Sequence, residues 1–189
     1  MAEIKGILLN AWVKFVNERY GEQAIARCFE ALCPEERRLI SSTFLDASWY
    51  PYDSLHAFGK AIRPLVTKSD TNFAEDIGRF MAQHAFTGVY RSLLARDPIK
   101  QVGKFTSIAE FFFRGVHKLE TEITGPASCL ARYRYEAGAK PTRGICISLS
   151  GFWSRSLELA GASKVAAAHP KCFAAGGDCC EFLLEWQAA

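Results

Sequence analysis

The chain lacks any long apolar run. None approaches the roughly 18 residues that a membrane-spanning helix requires. The first ten residues hold Ile7-Leu8-Leu9, but no extended apolar region or small-residue cleavage site follows, so no leader is expected. Charge of one sign is also scarce. Lys and Arg number 23 against 20 Asp and Glu, a net charge of +3, and the basic residues are spread along the chain. That distribution argues against a nucleic-acid partner. Catalytic signatures are missing too: there is no G-x-S-x-G, no P-loop and no dinucleotide fingerprint. No Ser/His/Asp or Cys/His pairing is placed by a motif, so the chain does not read as an enzyme. Seven cysteines are an odd number and form no secreted disulfide framework. A cytoplasmic, reducing setting is expected, where cysteines are buried, metal-bound or reactive.

What is present is a globular composition of 189 residues, 49% hydrophobic and 13% aromatic, with 14 Phe. One domain spanning 1–189 is expected. Its periodicity changes character near residue 115, which divides it into a helical half (1–114) and a sheet half (115–189). Helical spacing suggests helices over about 4–19, 22–32, 55–65 and 72–94, with a further start at Pro34 and a stop and restart at Asp97-Pro98. Leu119, Thr121 and Ile123 then alternate with Lys118, Glu120 and Glu122, and Ala131, Tyr133 and Tyr135 alternate with Arg132, Arg134 and Glu136. A turn centred on Ala127 would set Glu122 against Arg132, Glu120 against Arg134 and Lys118 against Glu136. Each such pair contributes a few tenths to ~1 kcal/mol. A helix over 152–160, closed by Gly161, and two strands over 163–169 and 180–186 complete the pattern. The fold class is α+β: about six helices followed by a four-stranded antiparallel sheet with an inserted helix.

The C-terminal string His169-Pro170-Lys171-Cys172 through Gly176 to Cys179-Cys180-Glu181-Phe182 contains C-x3-G-x3-C two residues before an aromatic. The glycine suits a tight reversal between strands. This pattern resembles the 4-vinyl-reductase domain, whose fold group includes the TRAPP vesicle-tethering subunits and, more distantly, the haem-nitric-oxide-binding sensors. Sensors of the 4-vinyl-reductase class hold a structural zinc with three Cys and one Glu. The resemblance therefore implies a zinc site at Cys146, Cys172 and Cys180, with His169 standing where that class has Glu. Cys3His is an acceptable zinc set; the alternative is three buried cysteines with His169 at a strand edge. Lys5-Gly6, the segment from Phe15 to Glu22, Ser48-Trp49-Tyr50-Pro51 and the terminal Glu185-Trp186 resemble a bacterial paralogous family of unknown function. Adjacent strand residues face opposite ways, so Cys179 reads as a surface thiol.

Two functions from different classes follow. The first is a signalling module that binds a small apolar or aromatic ligand, with Trp49, Tyr50, Tyr133, Tyr135 and Trp153 as candidate pocket residues. The second is an adaptor that binds a partner protein through a helical surface, with a homodimer expected. A tetrapyrrole enzyme and a haem-based gas sensor are the remaining alternatives. Haem is set aside, because a lone His84 on an apolar helix reads as a core residue rather than an axial ligand.

Overall fold

The protein is described from a computed structural model, covering residues 1–30, 32–40, 43–67, 70 and 72–188. The helical half begins with a strand, β1 (Glu3–Lys5), that runs straight into α1 (Gly6–Tyr20). It continues through α2 (Ala24–Glu30), α3 (Pro34–Arg37), β2 (Trp49–Pro51), α4 (Asp53–Ile62) and α5 (Phe73–Thr87). Then come α6 (Pro98–Val102), α7 (Phe105–Phe112) and β3 (Phe113–Arg114). The sheet half holds β4 (His117–Gly125), β5 (Ser128–Tyr135), α8 (Arg143–Leu159), β6 (Ala162–Lys171) and β7 (Cys180–Ala188). Two antiparallel sheets result, a small one ordered β2-β1-β3 and a larger one ordered β4-β5-β7-β6. The α+β class and the four-stranded sheet are as the sequence suggests. The small sheet is not, because three-residue strands carry too little alternation to register as a period.

Local chemistry sets the boundaries. Asp97 accepts from the Lys100 N–H at 2.8 Å and Pro98 occupies the first turn of α6, the stop and restart the sequence announces. The helix expected over 72–94 ends instead at Thr87, and a single 3-10 turn follows over Arg91–Leu93. α8 is longer than expected. It starts at Arg143, where Thr142 caps the Ile145 N–H, and not near Phe152. Its first half carries Ile145, Leu149 and Phe152 at helical spacing, but Gly144, Ser148, Ser150 and Gly151 interleave with them and weaken the helix signal.

Those small residues have a packing reason. A Cβ on Gly78 of α5 would lie 1.8 Å from the Ser148 carbonyl oxygen, and one on Gly151 of α8 would lie 2.2 Å from that of Glu75. The two backbones touch, and only glycine allows it. Beside this crossing, Glu158 accepts from Arg79 at 2.7 Å and from Arg155 at 2.7 Å, while Arg155 also donates to Gln83 at 2.6 Å.

The hairpin forms, but its register is two residues away from the expected one. Glu120 faces Arg132, Lys118 faces Arg134 and Glu122 faces Leu130. Two causes act together. One extra residue bulges between Ile123 and Gly125, and Arg132 takes its shortest ion pair from Glu181 of β7, at 2.8 Å. That third strand lies outside the hairpin's own pattern. A slip of two keeps the parity of the faces, so Leu119, Ala131 and Tyr133 still point inward. Ile123, beside the bulge, is 46% exposed rather than buried.

Replacing Gly78 or Gly151 by alanine should force α5 and α8 apart and destabilise the protein by about 1–3 kcal/mol or more. The measurement is the urea midpoint at unchanged slope. A midpoint within error of the parent would show that the crossing relaxes at no cost.

Candidate functional site

Three features gather around α8: a closed cavity, a cluster of sulfurs and an open groove. The cavity lies between the helical half and the sheet. It encloses about 20 Å³, room for roughly one water. Its walls are apolar and aromatic, with Leu8 and Trp12 from α1, Phe112 from α7, and Phe152 and Trp153 from α8.

An imidazole stands in that wall, beside Tyr52 and Ser148. His117, the first residue of β4, packs against Phe113 at 5.1 Å, Tyr133 at 4.6 Å and Tyr135 at 5.9 Å. Both of its ring nitrogens are sealed from solvent and neither has a hydrogen-bond partner among the described residues. Burial pushes its pKa down to about 3, so the ring is neutral. The Tyr135 hydroxyl is likewise sealed and unpartnered, and burial drives it far above the ordinary phenol range. Tyr133 is satisfied: its hydroxyl accepts from the Trp153 indole N–H and so ties β5 to α8. A buried polar group left without a partner costs about 1–3 kcal/mol. His117 has no identifiable partner in the sequence, yet the inward parity of Leu119 and Thr121 already places it on the inner face.

The five candidate pocket residues separate. Trp153 lines the cavity, and Tyr133 and Tyr135 stand behind His117. Trp49 and Tyr50 do not line it. Trp49 lies under Lys5 at 4.4 Å and Arg114 at 4.1 Å along the small sheet. Tyr50 packs on Phe44 at 4.8 Å, and its hydroxyl accepts from the Leu45 N–H at 2.9 Å. Both are structural aromatics of the β1–β2 corner. A tyrosine in a loop motif reads the same whichever way its ring turns, so sequence alone could not separate the two cases.

At the start of α8 the Sγ atoms of Cys146, Cys172 and Cys180 lie within 4.8 Å of one another, and Cys146 and Cys180 are 3.4 Å apart. A tetrahedral zinc with Zn–S of about 2.3 Å would hold its sulfurs roughly 3.8 Å apart. Gly176, at φ +95, closes the reversal between β6 and β7 that carries Cys172 back over Cys180. The Phe173 N–H donates to the Cys180 sulfur at 3.2 Å. The contact between the Cys146 and Cys180 sulfurs pushes Cys180 below the ordinary thiol range, with His169 and the Phe173 N–H adding, and pushes Cys146 up. The expected fourth ligand, His169, stacks on Phe182 at 4.3 Å with its Nε2 sealed and unpartnered, and lies just outside the three-sulfur group. Cys179 is buried at 1% exposure, not the surface thiol expected. It precedes β7, so the alternation within the strand does not govern it.

The groove, of about 430 Å³, opens to solvent between α4, α5 and the first turn of α8. Trp12, Leu55 and Ile145 belong to both its floor and the cavity wall.

No family model matches this chain, and no curated protein does. Solved structures do. An H-NOX protein from Shewanella oneidensis in the Fe(II) ligation state is 19% identical, with a TM-score of 0.70 over 97% of this chain and 96% of that one. The H-NOX domain of the same organism in the Fe(II)CO state is 17% identical, with a TM-score of 0.70 over 98% and 100%. An unliganded Fe(II) H-NOX mutant from K. algicida is 12% identical, with a TM-score of 0.70 over 97% of each chain. The fold is therefore that of the haem-nitric-oxide-binding domains, the most distant of the groups the sequence resembles. This overturns the reading that set haem aside. That reading weighed His84 alone, whereas the fold is one whose solved members carry ligated iron.

His117 makes a prediction about acid stability. The unfolded chain protonates this ring near 6.5 and the folded state only near 3. Between those values the unfolded state binds the extra proton, so stability falls as the pH drops, by up to about 1.4 kcal/mol per unit. His117→Phe should flatten that limb. Urea midpoints at pH of about 6.5 and about 4.5 test it, and parallel slopes for parent and variant would reject the assignment.

Proposed function

We propose that this chain is a non-enzymatic sensor module that takes a small ligand between its helical half and its sheet and passes the change to a separate partner protein. The observation that carries the reading is His117, a neutral imidazole with two free nitrogens in an apolar wall, in a fold whose solved neighbours bind haem. No helix among the described residues is long and apolar enough to cross a membrane, which suits a module in aqueous surroundings.

Haem fits this interior in one respect and not in another. A buried, unprotonated imidazole is a suitable axial donor. The space is not suitable as packed: about 20 Å³ stands against the several hundred that ligand pockets commonly offer. A porphyrin would have to displace rings such as Phe112, Phe152 and Trp153. Haemin titration of the purified protein, followed by its absorbance, tests the interior directly. Saturation at one haem per chain, with a band that His117→Ala shifts or abolishes, would establish a haem-based sensor. Absence of saturable binding would leave the ligand to the groove.

The sulfur cluster carries a separate proposal: Cys146, Cys172, Cys180 and His169 form a closed metal centre that staples α8 to the β6–β7 reversal. Three thiols at near-tetrahedral spacing, beside an imidazole nitrogen with no other partner, support it. Four protein ligands leave no open position, so the ion would be structural. Protein as purified should contain one zinc-type ion per chain. Chelation should lower the melting temperature and expose three further thiols, and Cys172→Ser should lower metal content in the same way. Metal well below one per chain, with thiol counts indifferent to chelator, would refute the centre.

A further inference from the structure

We infer that the groove between α4, α5 and the start of α8 binds a small amphiphile with an apolar body and an anionic head, of which a medium-chain carboxylate is the simplest form. The inference deepens the sensor reading and rests on it. The groove's size of about 430 Å³ falls within the range of small-molecule sites, and its walls are mainly apolar, with Leu55, Ile62, Val66, Phe73, Ile77 and Ile145.

Its polar lining is His56, Lys60, Arg63 and Thr142, and the charged groups among them are of one sign. Lys60 and Arg63 line it, and no acidic side chain does among the described residues. Lys60 is held by Glu36 at 2.5 Å, while Arg63 is exposed and forms no ion pair among the described residues. The first turn of α8 adds to them. Thr142 caps only Ile145, so the amides of Arg143 and Gly144 have no intrahelical partner, at the positive end of a 17-residue helix. An apolar trough rimmed by cationic and amide donors matches a molecule with an acid at one end.

A second, independent observation lies in the floor. Trp12 is only 6% exposed, and its sealed indole N–H has no hydrogen-bond partner. Most buried donors find an acceptor. The indole ring forms part of the wall common to groove and cavity, with its N–H turned away from solvent. Trp12 also lines the closed cavity, so a molecule seated on it presses on the wall that carries His117.

The test is isothermal titration with decanoate and with decanol, which share the body and differ in the head. Decanoate should bind at one per chain, at least tenfold more tightly than decanol. Arg63→Glu, an exposed change whose folding is checked by thermal midpoint, should weaken decanoate at least tenfold and leave decanol as it was. Ala74→Trp, which fills the groove, should abolish both. Equal affinities for the two probes, or indifference to Arg63→Glu, would overturn the anionic head. No saturable binding of decanoate would overturn the inference as a whole, while the haemin titration would still decide separately whether the interior takes haem.

Discussion

Where α5 crosses α8, backbone meets backbone, and the positions of all three candidate features follow from that contact. Gly78 sits on the Ser148 carbonyl and Gly151 on that of Glu75, at separations that admit no side chain. Such close approach fixes both the spacing and the rotation of the two helices, because there is no flexible side chain between them to absorb a shift. The Arg79–Glu158–Arg155–Gln83 cluster then sets the axial register from the partly exposed side. Exposed ion pairs are weak as stabilisers, but here both Glu158 oxygens meet one Arg79 nitrogen and the cluster is shared by four groups, which makes it specific in geometry.

Once α8 is fixed, its side chains are distributed with consequence. Cys146 in the first turn meets Cys180 of β7. Ile145, one residue earlier, turns toward the groove and the cavity. Trp153, two turns on, donates to Tyr133 of β5 and stacks on Phe105 at 4.0 Å. The buried Ser156 then accepts from Gln101, whose own oxygen takes the Ala95 N–H. One helix thus touches the sulfur cluster, the groove, the cavity and the α6 turn. A ligand that binds one position of α8 better than another must shift its balance, and every site along it shares that shift.

Some of this was legible in the sequence. The change of period near residue 115, the Asp97-Pro98 restart and the inward parity of Leu119, Tyr133, Phe182 and Leu184 depend on local pattern, and local pattern is what a sequence displays. The C-x3-G-x3-C spacing also signalled that Cys172 and Cys180 lie close together, because a glycine at positive φ and two flanking thiols are a local matter. The rest depended on distant neighbours. Glu181 settled the hairpin register from a third strand. The small residues of α8 hid a helix, since their reason lies on α5. Trp49 and Tyr50 looked like a pocket and were a corner. His84 stands on an apolar helix and does not line the cavity, whereas the alternation of β4 turns His117 inward.

The distribution of unsatisfied groups adds a last step. Elsewhere in the interior, buried polar side chains are paired: Gln101 with Ser156, Ser54 with the Leu39 carbonyl, Ser148 with that of Ile145. The sealed groups without partners are Trp12, His117, Tyr135, His169 and Tyr20 among the described residues. Apart from Tyr20, they do not scatter. His117 and Tyr135 meet at the cavity, Trp12 separates cavity from groove, and His169 stands beside the three sulfurs. A chain that satisfies its buried donors and acceptors in the scaffold, yet leaves four open around two adjacent centres, retains a cost of a few kcal/mol where it does nothing for the fold. Such a cost is offset when something binds there. The unpaired atoms themselves are an indole donor, two imidazoles and a phenol, and each is of a kind that a bound group of complementary chemistry would satisfy.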